Sequence, residues 1–309
     1  MVDNDAPNRL LPPMAWNAWG DPDAAKPLSD GIRGLLEQAL GVTPAAIPAP
    51  GIDEVQLTPS ALTDIHHDGL AAIVGADHLR TGDRERLLYA GGKSTPDLLR
   101  RKQTHQDAPD AVLLPADEDQ IAAVLAYCSH HRIAVVPFGG GTSVVGGLDP
   151  TRGEFASVIS LDLRRLDELH WLDEASQEAE LGAGVTGPDA ERLLGERGFS
   201  LGHFPQSFRF ATIGGFAATR SSGQNSAGYG RFNDMIRGLR VITPAGVLDL
   251  GRPPSRPPGR TFASCSPAPR ACSASSPACD CGCIPHRRPR STRRGRSRIS
   301  PPAPPHCAR

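Results

Sequence analysis

At residue 251 the chain stops reading like a folding sequence. Residues 251–309 hold twelve Arg, no Lys, a single acid (Asp280), thirteen Pro and six of the seven Cys. That segment is formally +11 and residues 1–250 are −12, so the net −1 conceals two opposite halves. A Pro- and Arg-rich stretch with few aliphatics cannot bury enough apolar surface to offset its ordering entropy, so 251–309 is expected to be disordered. Any core must come from residues 1–250. One Cys in those 250 residues, Cys128, fits a reducing compartment. No apolar run nears the roughly 18 residues of a membrane span, and the N-terminus M-V-D-N-D-A-P-N lacks the basic region of a secretory signal. A soluble, cytoplasmic protein is expected.

Before the break the texture changes once more. Residues 1–107 read as a small, mostly helical region, with Ile32, Leu35, Leu36 and Leu40 at helical spacing over 30–41. From 108 to 250 strands and helices alternate. Ala111–Leu114 reads as a buried strand. Asp117 opens a helix, with Gln120 completing a capping box and Ile121, Val124, Leu125 and Cys128 on the buried face. Ile133–Pro137 and Ser157–Leu163 read as strands and Asp189–Glu196 as a helix. Arg237–Leu250 reads as strand, turn (Pro244-Ala245-Gly246) and strand. The fold class is α+β.

The strongest chemical signal directly follows a strand: Pro137-Phe138-Gly139-Gly140-Gly141-Thr142-Ser143-Val144-Val145-Gly146-Gly147. Three successive glycines free the backbone to turn consecutive N–H groups toward one point. Such a nest is a concave anion site suited to a pyrophosphate, and Thr142 and Ser143 add hydroxyls. A glycine-rich hairpin is the plainer alternative. The Rossmann fingerprint is excluded, because no G-x-G-x-x-G leads into a helix. About seventy residues on, a second block reads Pro205-Gln206-Ser207-Phe208-Arg209-Phe210-Ala211-Thr212-Ile213-Gly214-Gly215, continuing through Thr219-Arg220-Ser221-Ser222.

The two blocks, in this order, resemble the FAD-linked oxidase superfamily with its vanillyl-alcohol-oxidase or PCMH-type FAD domain. The resemblance implies that Pro137–Ser143 holds the FAD pyrophosphate. It also implies that Gln206, Ser207, Phe208, Arg209, Phe210, Ala211, Thr212, Thr219, Arg220, Ser221 and Ser222 line the ribityl chain and ring. Covalent attachment in the superfamily typically uses a His just after the glycine loop; Thr142 stands there, which implies noncovalent FAD. Three further places are similar to the alkyldihydroxyacetonephosphate synthases. They are Trp16-Asn17-Ala18-Trp19-Gly20-Asp21-Pro22, Gly91-Gly92-Lys93-Ser94-Thr95-Pro96-Asp97, and Tyr229-Gly230 with Asn233-Asp234, although Phe232 and Asp234 depart from the pattern.

Two motifs invite other readings. Gly92-Lys93-Ser94 mimics a Walker A ending, but the required first glycine falls at Leu87, and Pro96 argues against a helix starting there. Cys279, Cys281 and Cys283 with His286 mimic a metal site, but the C-x-C-x-C spacing is not a common structural zinc spacing. No metal is expected.

The tail can be tested in another reading frame, because each amino acid nearly fixes the first two bases of its codon. Read from third bases, Thr261 through Arg287 can give L-R-Q-L-F-P-G-S-E-G-V-L-G-V-I-T-G-V-R-L-R-L-H-P-A-P. That resembles the G-S-E-G-x-L-G-V-I-T segment of the same family, and it implies a one- or two-base slip near 252–257.

The resemblance implies exchange of an acyl for an alkyl group on dihydroxyacetone phosphate, with FAD and a small-molecule or lipid substrate. An FAD-dependent 2-hydroxyacid dehydrogenase is the redox alternative. A nucleic-acid-binding role for the Arg-rich tail requires the printed frame to be the true one, and is not expected. Peripheral membrane contact and a homodimer stay open. The family's catalytic groups lie in a C-terminal cap domain, expected to be absent here, so no catalytic residue is assigned and the chain is expected to be inactive as written.

Overall fold

The computed structural model describes residues 14–41, 49–250, 275–282 and 284–285. The N-terminal region contributes α1 (Asp30–Leu40), β1 (Gln56–Leu57), α2 (Asp64–Val74), β2 (Leu79–Arg80), α3 (Asp83–Leu88), α4 (Thr95–Arg100) and β3 (His105–Gln106). Then come β4 (Ala111–Leu113), α5 (Glu118–His131), β5 (Ile133–Phe138), β6 (Ser157–Asp162), β7 (Leu169–Asp173) and β8 (Glu178–Gly182). They are followed by α6 (Gly187–Gly195), β9 (Phe199–Ser200), α7 (Ile213–Thr219), α8 (Ser226–Tyr229), α9 (Phe232–Met235), β10 (Ile236–Thr243) and β11 (Gly246–Leu250). Beyond the break lie β12 (Ser275–Gly282) and β13 (Ile284–Pro285).

Two sheets organise the α+β body. The first has the order β2-β4-β6-β5, with β4, β5 and β6 parallel and β2 antiparallel on the edge. Parallel strands need a covering layer, and helices α2 and α5 supply it. Leu70 and Val74 meet Ile121, Val124, Leu125 and Cys128 over Leu113, Ile133, Ile159 and Leu161. This core crosses 107–108, so the boundary drawn there in the sequence runs through continuous packing. Helix α5 buries the four residues its spacing predicts. Its cap differs slightly: Asp117 accepts from Gln120 N at 2.8 Å, but Gln120 Oε1 reaches back one residue further, to Ala116 N at 2.8 Å.

The second sheet, β11-β10-β12-β8-β7, is antiparallel throughout. Its core joins Ala179, Leu181, Leu194, Ile213, Phe216 and Phe232. The expected hairpin over 237–250 is β10–β11, paired from Leu239↔Leu250 to Thr243↔Gly246.

The middle strand of this sheet corrects the expectation that all of 251–309 lacks stable structure. Strand β12 lies between β10 and β8, with Cys279 opposite Leu239 on one side and Leu181 on the other. An antiparallel ladder is made of backbone groups, so a composition poor in aliphatics does not forbid it. Pro277, which has no N–H to donate, falls where the β10–β12 register shifts between Ser275 and Ala278. The side chains of Cys279, Cys281 and Cys283, together with His286, lie outside the described residues.

Candidate functional site

Strand β5 delivers the chain into Gly139–Gly147 at the carboxyl end of the parallel strands, where open parallel sheets place their ligands. Pro137 pairs with Leu161, and Phe138 is buried with its ring 4.5 Å from that of Tyr89. These two anchor the loop, and Phe138 also lines the cavity beside Gly140 and Gly141. Gly140 and Gly141 are buried, Gly139, Thr142 and Ser143 half-buried, and Val144 and Val145 exposed. Gly141 has φ +68°, a left-handed conformation that glycine adopts without strain.

The second block folds through tight turns, with Phe208 N donating to Pro205 O and Ala211 N to Ser207 O, both at 2.9 Å. Thr212 then caps α7, its Oγ1 accepting from Gly215 N at 3.2 Å. Ile213 N to Val185 O (2.8 Å) and Gly187 N to Ala211 O (3.2 Å) stitch the block to the end of the second sheet. Phe210, Ala211 and Thr212 are buried, Ser207 and Phe208 half-buried, and Gln206 and Arg209 exposed.

The two blocks meet backbone to backbone. A Cβ on Gly140 would sit 1.9 Å from Phe210 O and 2.8 Å from Ala211 Cα, and one on Gly139 would sit 2.4 Å from Thr212 Oγ1. Glycines here admit the second segment as well as any ligand. Thr219, Arg220, Ser221 and Ser222 lie at the far end of α7, about 10 Å along its axis. Arg220 is the left-handed C-cap (φ 51°), and Thr219 Oγ1 donates to Gly215 O at 2.8 Å.

Sequence reasoning missed three groups around the site. The first is a pair of buried cations, Lys93 and Arg101, beside Gly140 and Gly141 in a cavity of about 50 Å³. Lys93 Nζ donates to Ala15 O and Trp16 O, and Arg101 to Trp16 O and Gly91 O. Burial, and then the Arg101 guanidinium, pull the Lys93 ammonium down to about 7 against the opposing Asp97 carboxylate. Its neighbour Ser94 caps α4, accepting from Asp97 N at 3.2 Å, and Pro96 sits in the first turn, where proline is tolerated. The sequence argument that Pro96 prevents a helix was therefore wrong, though the motif forms no P-loop.

The second group is Tyr89–Asp162–Arg164. Tyr89 Oη donates to Asp162 Oδ2 at 2.7 Å, and Arg164 Nη2 bonds Asp162 Oδ2 at 2.6 Å and Tyr89 Oη at 3.0 Å. Burial, then the Asp162 carboxylate, push the Tyr89 hydroxyl pKa upward, so the phenol stays protonated. The third is His203, buried against the rings of Phe216 and Phe232, with Nε2 lacking a partner among the described residues. Burial lowers its pKa to about 4, so it is neutral at physiological pH. No motif marks these groups: Asp162 and Arg164 are two residues apart, but Tyr89 lies 73 residues from Asp162, the Lys93 acceptors lie 77 and 78 residues away, and His203 meets only apolar rings.

Among the described residues no group of three His, Cys, Asp or Glu is arranged to hold a metal, and no helix is long and apolar enough to cross a membrane. Residues 109–251 match the family described as FAD binding domain. An alkyldihydroxyacetonephosphate synthase of Trypanosoma brucei brucei is 34% identical over 259 residues, covering 76% of this chain and 42% of that protein. Protein Rv2250A of Mycobacterium tuberculosis is 65% identical over 107 residues, 34% of this chain and 72% of that one. A solved structure, alkyldihydroxyacetonephosphate synthase in P1, superposes with a TM-score of 0.76 at 27% identity, covering 88% of this chain and 54% of that one. The chain spans about half the length of the synthases it matches.

Proposed function

Because the chain belongs to the FAD-linked oxidase superfamily and its cofactor is FAD, we propose that the Gly139–Ser143 loop and the Gln206–Thr212 segment together hold that cofactor. The observation that carries this is the contact of the two blocks, packed so closely that a Cβ on Gly139 or Gly140 would overlap Phe210–Thr212. The residues present fit the group. Backbone N–H groups and the Thr142 and Ser143 hydroxyls suit a pyrophosphate. Lys93 and Arg101 add positive charge whose hydrogen bonds go to carbonyl oxygens. Gln206, Ser207 and Arg209 supply polar contacts toward the ribityl chain, and Thr219–Ser222 contribute from the far end of α7.

Bound FAD supplies an isoalloxazine ring able to accept electrons. This chain's residues hold and orient it. The buried Phe210 and Ala211 keep water from the floor of the cradle, and the Tyr89–Asp162–Arg164 cluster holds β6 beneath the loop. His203, neutral and buried, moves no proton at neutral pH. Thr142 cannot form the histidyl link of covalent flavoproteins, so FAD is noncovalent and leaves the protein on acid precipitation.

For the whole protein we take exchange of an acyl for an alkyl group on dihydroxyacetone phosphate as the activity, in line with the 34% identity to the trypanosomal synthase. A cytoplasmic location rests on the single Cys among residues 1–250. Two measurements test the proposal. Gly140→Val in the full chain should abolish FAD retention; a yellow variant with full occupancy would refute the cradle. The full-length protein, with its reading frame confirmed, should incorporate labelled long-chain alcohol into acyl-dihydroxyacetone phosphate. Oxidation of a 2-hydroxyacid with no incorporation would overturn the transferase reading.

A further inference from the structure

The two cofactor blocks are joined by a third element that belongs to neither. Residues Met14–Asp21 form a turn closed by Ala15 N to Gly20 O at 2.8 Å. This turn has no helix or strand of its own and is held by side chains from elsewhere. Its Ala15 and Trp16 carbonyls accept from the buried Lys93 and Arg101. In the other direction, the Trp19 indole Nε1–H donates to Lys93 O at 3.0 Å, and Lys93 N donates to Ser143 O at 2.7 Å. Two bonds therefore lead from Trp19 to the glycine loop. Gly92 lies so close that a Cβ on it would come within 2.2 Å of Ser143 O.

The same turn reaches the second block. Asp21 Oδ2 accepts from Arg209 Nη2 at 3.0 Å, while Asp21 Oδ1 accepts from Asp23 N at 3.0 Å. One carboxylate thus finishes the turn and ties it to the segment that faces the loop. Behind the turn, α4 holds the loop's far end through Arg100, which bonds Asp149 at 2.7 Å and Asp97 at 2.6 Å. Segment 91–101 grips the glycine loop at Ser143 and Asp149, and the Met14–Asp21 turn spans from that grip to Arg209.

We propose that the Met14–Asp21 turn is a clasp across the two cofactor blocks, with Trp19, Asp21 and Lys93 as positioning residues that set how long bound FAD is retained. The proposal rests on the assignment of the two blocks to FAD. If the turn opens, Lys93 loses both of its carbonyl acceptors and Arg101 loses Trp16 O while keeping Gly91 O, and these lost hydrogen bonds favour the closed state. The loop and Arg209 then lose their common tether, and the cradle loses its fixed width.

Two readouts on the full chain test this: the FAD dissociation rate, from recovery of flavin fluorescence on dilution, and amide hydrogen exchange over residues 139–144 without FAD. Asp21→Asn keeps the acceptor for Asp23 N but removes the charge, and should speed FAD release about two- to fivefold, the range for a partly exposed pair. Trp19→Phe should speed it similarly, and both should raise exchange at 139–144. Asp21→Glu, which keeps both the carboxylate charge and an acceptor, should release FAD close to the wild-type rate, so that the change in Asp21→Asn tracks the charge and not the turn. Unchanged release and exchange in Asp21→Asn and Trp19→Phe, with FAD bound normally by the wild type, would overturn the clasp and leave the FAD cradle intact. Faster exchange at 139–144 in Asp21→Asn and Trp19→Phe than in the wild type, with a wild type that retains no FAD, would instead support the clasp and refute the cradle.

Discussion

Replacing Gly140 by Ala adds one methyl group at the tightest point of the site. An ideal Cβ there lies 1.9 Å from Phe210 O, 2.5 Å from Phe210 C and 2.8 Å from Ala211 Cα. All three are backbone atoms, so no rotamer change relieves the overlap. Nor can the segment swing away freely, since Gly187 N to Ala211 O and Ile213 N to Val185 O hold it on both sides. The loop must retreat by more than 1 Å to reach an ordinary contact of about 3.3 Å. Overpacking of this kind costs about 1–3 kcal/mol, and at 1.4 kcal/mol per factor of ten FAD binding should weaken roughly 5- to 140-fold. Titration of the apoprotein by flavin fluorescence quenching measures the loss, with thermal melting in parallel. Gly195→Ala, where a Cβ meets nothing within 4 Å, is the control and should leave FAD affinity unchanged. A Gly140→Ala protein with affinity and melting within twofold and one degree or so of wild type would refute the backbone contact on which the cradle rests.

His203 makes stability depend on acid. The unfolded chain takes up its proton near 6.5, while the fold refuses it until about 4. Stability is therefore full above pH 6.5 and falls as pH drops toward 4, by about 3 kcal/mol in all. Urea midpoints across that window should show the loss, and His203→Phe should flatten it; an unchanged slope in the variant would exclude His203 as the cause. Asp110 is fully buried and accepts from Ala61 N (2.8 Å), Val158 N (2.7 Å) and Arg152 (3.0 Å). Asp110→Ala strands all three donors and should cost about 3–5 kcal/mol in denaturant unfolding, with Asp110→Asn in between. In the gene, the codons of Thr261–Pro285 read from their third bases should encode a G-S-E-G-x-L-G-V-I-T type segment. Any other reading there rejects the frame slip.

The parts legible in the sequence were those written locally. Asp117 and the 3.6-residue spacing of Ile121, Val124, Leu125 and Cys128 are enough to define α5, and the turn at Pro244-Ala245-Gly246 is enough to define the hairpin β10–β11. Both glycine blocks were visible for the same reason. Their mutual contact was not, because nothing at Gly140 announces a partner at Phe210. Lys93 looked like the end of a false phosphate motif, since its acceptors lie 77 and 78 residues away. Strand β2 is two residues long, and only its pairing with β4 makes it a strand. Composition misled once, at β12, where backbone pairing is indifferent to the character of the side chains.

The place of β12 also fixes an order of assembly. Hairpins β7–β8 and β10–β11 each close on themselves soon after synthesis, yet neither touches the other in the sheet; β12 stands between them and is made last. It is the keystone of an arch whose two flanks are built first. Until residue 282 has left the ribosome, each flank presents an open edge, the moment at which strands of separate molecules join. The same vacancy in time leaves β10 and β8 each with an unpaired edge facing the gap that β12 later fills.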